Sequence, residues 1–350
     1  MHATSNQYPN TPRWIGGDED RFILASLFEI RGHRLKGEPL TWTITKSNRR
    51  SDPDPENNNP IRQTITLDDD VIVLFDNGHI QRLHGSTDSR VWEQTLEPKP
   101  AGGVSLDGTT MTYLARSKQG ESIHVFDSAT GKRRSAYNLP RGDAVLDQFP
   151  GEATTVLQTA DGFIGIHSQM GQQSWRIGGQ SRLSEGHAVA DSSGIYASVD
   201  GQQVVKFSRE TGERVWRFEG IGVNPPARVT MSVNNRFILV RSGGFLQVLD
   251  STNGMHIGRV ECLGRERIHV TGLLNETLYA LVKPIRKESM WRLEVLGLSG
   301  KASKNRSDKH YFLPSFPDFN EATMIGDTIV VHDGNRVLGF KLPRRQATGG

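Results

Sequence analysis

The sequence predicts an all-β chain of repeated four-stranded units, and three observations predict it. First, apolar residues come in short runs among 37 glycines and 16 prolines, which suits many turns and short strands better than long helices. Second, tight-turn dipeptides recur between those runs at Asn77-Gly78, Asp161-Gly162, Asp200-Gly201 and Asp333-Gly334, with weaker turns at Gln119-Gly120, Ser242-Gly243 and around Glu288. Such pairs accept the positive φ angles of hairpin turns. The steps between these turns are 42, 42, 39, 42, 46 and 45 residues.

Third, a corner follows each turn. It reads STDSRVW ending at Trp92, ATGKRRS at Ser135, MGQQSW at Trp175, TGERVW at Trp216, TNGMHIG at Gly258 and LSGKASK at Lys304. The corner glycines Gly131, Gly171, Gly212, Gly254 and Gly300 are spaced by 40, 41, 42 and 46 residues, with Asp88 in the same place in the first unit. Two rulers with one period in the low forties, and four short strands per period, predict the blades of a β-propeller.

The strand–T-G-x-x-x-W pattern resembles the PQQ-like repeat of quinoprotein dehydrogenases and of the outer-membrane assembly scaffold lipoprotein. Asp127 and Thr130-Gly131 match that motif, and Asp250 matches its Asp again. Trp92, Trp175 and Trp216 match its docking tryptophan, while Ser135, Gly258 and Lys304 depart from it. The resemblance spans roughly residues 61 to 342. It implies that Gly131, Gly171 and Gly212 form blade corners and that the tryptophans dock blade onto blade. The glycine-histidine and Trp-Asp signatures of WD40 repeats are absent.

Read along the chain, residues 1–20 are polar and expected to be flexible, and residues 21–342 form one propeller domain. From Asp18 to Gly32, DEDRFILASLFEIRG places Phe22, Ile23, Leu27, Phe28 and Ile30 on one helical face, after acidic residues and before a glycine. Read as strands, the same stretch opens an eighth blade. GEPLTWTI, Gly37 to Ile44, supplies a strand expected to pair with residues 335–342 and join the chain ends, because an unpaired blade edge is a pairing hazard. Seven blades closed in this way is the preferred count, and eight the alternative. Residues 46–60 form a charged, proline-spaced exposed loop, and 343–350 a basic tail.

Composition limits the chemistry. With 42 basic and 39 acidic residues the formal charge of +3 is too weak by itself to argue for a nucleic-acid footprint, and no nucleic-acid partner is expected. No stretch approaches 18 apolar residues, so no membrane span is expected. The single cysteine, Cys262, forms no intrachain disulfide and no cysteine-based zinc site, and it reads as a small core residue. The N-terminus lacks the pattern of a signal peptide. A cytoplasmic location is expected, or a periplasmic one where a signal peptide has been removed.

Eleven histidines invite a metal search, but His79 and His84 lie five apart across one strand, His124 and His167 occupy similar places in successive blades, and none forms a ligand set. Leu67-Asp68-Asp69-Asp70 lacks the spacing of a calcium loop, and no phosphate loop or nucleophile elbow occurs. The quinoprotein enzymes that share the repeat are longer, hold quinone and calcium on the axis, and many use adjacent cysteines. The resemblance therefore implies the fold and not the chemistry. The expected function is a non-enzymatic protein-interaction scaffold without a cofactor, monomeric on its own, with an axial-site dehydrogenase or a channel-binding sensor as alternatives. Lys301, Lys304, Arg306 and Lys309 cluster in one basic loop, the candidate contact for an acidic partner surface.

Overall fold

In the computed structural model of the chain, residues 13–17, 21–25, 29–34, 42–45, 60–67, 70–84, 89–118, 120–178, 188–221, 229–233, 236–242, 245–261, 267–274, 276–283, 291–298, 309–313, 321–325, 327–332 and 337–342 are described. They form eight antiparallel sheets, numbered here as blades 1 to 8. Blade 1 holds β1 (Arg13–Gly17), β2 (Arg21–Ala25), β3 (Glu29–Arg34) and β4 (Trp42–Thr45). Blade 2 holds β5 (Ile61–Leu67), β6 (Asp70–Phe75), β7 (His79–His84) and β8 (Arg90–Thr95). Blade 3 holds β9 (Pro100–Asp107), β10 (Thr110–Ser117), β11 (Gly120–Asp127) and β12 (Arg133–Asn138). Blade 4 holds β13 (Val145–Phe149), β14 (Thr154–Thr159), β15 (Phe163–His167) and β16 (Gln172–Ile177). Blade 5 holds β17 (Val189–Ala190), β18 (Gly194–Val199), β19 (Gln203–Ser208) and β20 (Arg214–Glu219). Blade 6 holds β21 (Val229–Val233), β22 (Phe237–Ser242), β23 (Phe245–Asp250) and β24 (His256–Glu261). Blade 7 holds β25 (Arg267–Leu274), β26 (Thr277–Lys283), β27 (Trp291–Gly297) and β28 (Lys309–Leu313). Blade 8 holds β29 (Glu321–Ile325), β30 (Thr328–His332) and β31 (Val337–Lys341).

Every blade is a simple meander, each strand pairing with its neighbour in sequence. Hairpins set the register. At the turn between β18 and β19, Asp200 and Gly201 take φ of 54° and 65°, the left-handed conformation that tight hairpin turns favour. First strands meet across blade boundaries: β1 lies against β5, β5 against β9, and β9 against β13. β29 lies against both β25 and β1, so the last blade meets the first.

The N-terminal expectations change here. The stretch read as a helix forms β2 and β3, an antiparallel hairpin with Arg21 opposite Arg34 and Ile23 opposite Gly32. Its apolar runs are too short for periodicity to separate helix from strand, and pairing decides. The strand carrying Trp42 pairs with β3 inside its own sheet, not with β31. The sheets thus number eight among the described residues, the alternative count, and the ends meet through whole blades rather than one shared strand. β1 also begins inside the segment 1–20 that was expected to be flexible. Of the loop 46–60 only Pro60 is described, and the tail 343–350 lies outside the described residues.

The core sits between blades rather than within one. Ile72, Leu74 and Ile80 of blade 2 pack with Val104, Met111 and Tyr113 of blade 3. Ile123 and Val125 of blade 3 pack with Leu157, Ile164 and Ile166 of blade 4. The pattern continues through blades 5, 6, 7 and 8. Successive strand residues point to opposite faces, so a middle strand serves two neighbours. On β22, Ile238 and Val240 face blade 5, while Phe237 and Leu239 face blade 7. All six residues of β14, TTVLQT, are buried for this reason. Both faces of a middle strand are covered, as they are in parallel sheets.

Blades 2 to 8 share apolar clusters with their neighbours, and β1 lies against both β5 and β29. Deletion of residues 1–45 removes blade 1. The truncated chain is expected to self-associate or to lose its cooperative unfolding transition, measured by sedimentation and thermal melting. A monomer with an unchanged melting temperature would contradict a closed ring of blades.

Candidate functional site: the blade corners

Four corners between the third and fourth strands share one geometry. The N–H of Gly131 donates to Asp127 O at 2.8 Å, Gly171 to His167 O at 2.8 Å, Gly212 to Ser208 O at 3.0 Å, and Gly254 to Asp250 O at 2.9 Å. Their φ angles are 73°, 64°, 72° and 73°, a left-handed conformation that costs a side-chain-bearing residue energy and glycine little. Side chains cap the turn: Asp127 Oδ1 accepts from Thr130 N at 2.8 Å, and Ser208 Oγ from Thr211 N at 3.2 Å.

The preceding blade docks on this corner. Trp92 Nε1–H donates to Ser128 O at 2.9 Å, Trp175 to Arg209 O at 3.1 Å, and Trp216 to Ser251 O at 3.2 Å. Each acceptor lies three residues before the corner glycine of the next blade. A methyl group on Gly131, Gly212 or Gly254 would fall 3.0, 2.7 or 2.6 Å from the indole of Trp92, Trp175 or Trp216. The glycine thus serves twice, for its φ and for the approach of a ring. Trp216 is only 9% exposed, whereas Trp92 and Trp175 are half-buried, less covered at Trp175 than a core residue.

Where the tryptophan is missing, the contact is made differently. Ser135 Oγ donates to Ser168 O at 2.6 Å, the carbonyl equivalent to the indole acceptors. With no ring between them, the corner closes onto the strand, and a methyl on Gly171 would fall 2.4 Å from Ala136 O. At Gly258 the space is taken by Leu296 of blade 7, whose Cδ2 lies 2.9 Å from where a methyl would sit. Lys304 lies outside the described residues.

A partly buried and a buried cation reinforce two of the docking carbonyls. Arg82, opposite Trp92 in register, donates to the same Ser128 O at 3.0 Å and pairs with Asp70 at 2.6 Å. Lys206, opposite Trp216 and 6% exposed, donates to Ser251 O and to Ser193 Oγ, both at 2.9 Å. Its ammonium lies 5.3 Å from the centre of the Tyr196 ring, and Tyr196 donates to Asp191 Oδ2 at 2.8 Å. Burial pushes Lys206 below its ordinary pKa, and Asp191 and Asp250 oppose that shift.

Arg209 is the most embedded cation of the group. At positions 128, 168 and 251 the equivalent residue is serine, yet here a guanidinium 5% exposed spans three blades. It donates to Thr154 O at 3.0 Å, to Phe149 O at 2.9 Å and to Pro150 O in blade 4, and to Asp191 O at 2.6 Å beside β17 of its own blade. It also reaches Asp107 of blade 3 at 3.2 Å. Gly151 makes room, since a methyl there would fall 2.6 Å from the guanidinium carbon. These cations are engaged by the ring's own carbonyls and carboxylates, so they act as inter-blade ties.

The histidines singled out from the sequence do not converge. His79 faces Glu93 at 3.6 Å, His84 faces Asp70 at 3.4 Å, and His167 Nδ1 accepts from Gln169 N at 3.3 Å. Among the described residues no group of three His, Cys, Asp or Glu side chains gathers for a metal ion. No helix among them is long and apolar enough to cross a membrane. Cys262, Lys301, Lys304 and Arg306 lie outside the described residues, and Lys309 opens β28, its backbone opposite Val295.

Known proteins match this geometry. A family model described as outer membrane protein assembly factor BamB matches residues 160–257, which hold the corners at Gly171, Gly212 and Gly254. No curated protein sequence matches the chain. Among solved structures, BamB from Moraxella catarrhalis is similar with a TM-score of 0.54 and 14% identity, covering 97% of this chain and 98% of that one. The computationally designed Ika8 protein is similar with a TM-score of 0.61, 11% identity and the same coverages of 97% and 98%. The C-terminal WD40 domain of Sif2 gives a TM-score of 0.56 and 11% identity over 95% of this chain and 92% of that one. At such identities the likeness concerns fold alone, and the fold is a PQQ-like β-propeller.

Trp216→Ala should cost about 3–5 kcal/mol of stability, as large-to-small core changes do, because it empties the contact with Gly254 and removes one of the donors to Ser251 O. Ser135→Ala, which removes one hydrogen bond and no ring, should cost only about 1 kcal/mol. Denaturant titration of both variants checks the order. Equal losses would mean that indole packing does not carry the docking.

Proposed function

We propose that this chain is a non-enzymatic scaffold that presents turns and loops of a rigid propeller to a protein partner. The observation that supports it best is how the side chains are divided. The middle strands are buried on both faces between blades, as on β14 and β22, while the corner turns carry exposed groups. Glu210, Thr211 and Glu213 of blade 5 are exposed, as are Met170 and Met255 beside the corner glycines of blades 4 and 6. Loops on a rigid frame are the usual place for recognition. The likeness to BamB, a protein named as an assembly factor, agrees with a role in holding other proteins.

The partner surface we favour is acidic, met by Lys301, Lys304, Arg306 and Lys309. Long-range attraction by such a loop accelerates encounter and weakens as salt screens it. Affinity capture from the native host, with the chain as bait, identifies the partner. Reversing Lys301, Lys304 and Arg306 to Glu should slow association and flatten its salt dependence while leaving the melting temperature unchanged. Capture indifferent to the triple reversal at low and high salt would remove this loop from the interface.

A further inference from the structure

The joint between blades 2 and 3 contains an imidazole in a setting that suits only its neutral form. His124 of β11 is 5% exposed. Its ring stacks on that of Tyr113, its register partner on β10, with centroids 4.9 Å apart and planes 5° apart. Tyr113 is fully buried and belongs to the apolar cluster that joins blade 3 to Ile72, Leu74, Ile80 and Leu96 of blade 2. His124 Nε2 lies 3.1 Å from Ser122 Oγ, whereas Nδ1 and the Tyr113 hydroxyl are buried with no hydrogen-bond partner among the described residues.

The charged neighbours do not favour a second proton. From β12, Arg133 adds positive potential at both His124 and Tyr113. The acids of β11 are engaged elsewhere, Asp127 by Arg134 and Thr130, and Glu121 by Arg116 and the Val145 amide. From blade 2, Glu97 bears on Tyr113, and Arg82 is held by Asp70 and Ser128 O. An imidazolium here would be a cation stacked in an apolar joint, with an Nδ1–H that has no acceptor. Burying such a donor without a partner is costly.

We propose that His124 makes the contact between blades 2 and 3 a pH-sensitive joint, firm when the imidazole is neutral and loosened when it is protonated. Burial first, and Arg133 second, hold His124 below its ordinary pKa. The unfolded chain then binds more protons than the folded one as the medium acidifies. The stabilisation is fully present above the ordinary histidine value of about 6.5 and is lost as pH falls towards the lowered folded value. His256 supplies a weaker parallel, stacked 6.0 Å from Phe218 and lowered by burial and by Arg259.

Denaturant unfolding of the full chain at about pH 7.5 and about pH 5.5, bracketing the histidine range, tests the joint in wild type and in His124→Gln. The wild-type folding equilibrium should weaken more steeply on acidification than the variant's, by up to about tenfold, the most that one lowered histidine can contribute over this range. Profiles that differ only by a constant offset would overturn the proposal. Should His124→Gln fail to fold, NMR titration of the wild-type imidazole decides instead. A midpoint below the ordinary value supports the joint, and one at or above it overturns it.

Discussion

A backbone carbonyl three residues before each corner glycine is the point on which neighbouring blades are fastened. It receives the indole N–H of Trp92, Trp175 or Trp216, and the serine hydroxyl at Ser135, from the blade before it. The carbonyl is available because the corner turn closes its own hydrogen bond one residue earlier, from the glycine N–H to the residue four before. The glycine beside it has no Cβ, so a flat ring can approach until it covers the turn. One local conformation therefore sets the spacing between blades, and that spacing sets how the apolar faces of the middle strands meet. A ring of such units closes only when every joint has nearly the same geometry, which explains why the corner φ angles agree within ten degrees, from 64° to 73°.

Much of this was legible in the sequence because the corner needs residue types that few other places need. A glycine with positive φ, a capping Asp or Ser, and an aromatic four residues on form a signal that recurs at the blade period. The blade assignments from residue 61 onwards follow from it. What replaced a missing tryptophan was not legible. Ser135 reaches the same carbonyl with a hydroxyl, and the room at Gly258 is filled by Leu296 from another blade. Nothing near Gly258 in the sequence indicates that. At the N-terminus the runs RFILA and EIRGHR are too short for period to separate helix from strand, so the extra blade could not be decided before pairing was known.

Arg209 was readable in principle. Aligning the repeats puts serine at positions 128, 168 and 251, and one long cation among three small hydroxyls is the kind of departure that marks a special contact. In the chain it looks like an ordinary surface residue within SRETGE. Only the fold shows the guanidinium turned inward to the carbonyls of Phe149 and Thr154 and the carboxylate of Asp107. Lys206 is similar, since its place opposite Trp216 follows from register rather than composition. Both are partly desolvated, and burial lowers both pKa values. Their carboxylate partners offset part of that loss, and breaking such a buried tie costs more than forming it gains.

The same economy of contacts explains why chemistry is hard to read from this chain. In an enzyme, polar groups that are costly to bury converge on a substrate. Here the part-buried Arg82 and the buried Lys206 and Arg209 donate to backbone carbonyls of adjacent blades, and Trp92 and Trp216 reach two of the same atoms. The lowered pKa values of Lys206 and Arg209 thus go with groups that tie the blades together. Perturbed groups are often taken as markers of active sites, but structural ion-pair networks perturb them equally. On the scaffold reading proposed above, recognition falls to exposed side chains on the turns, such as Glu210, Met170 and Met255.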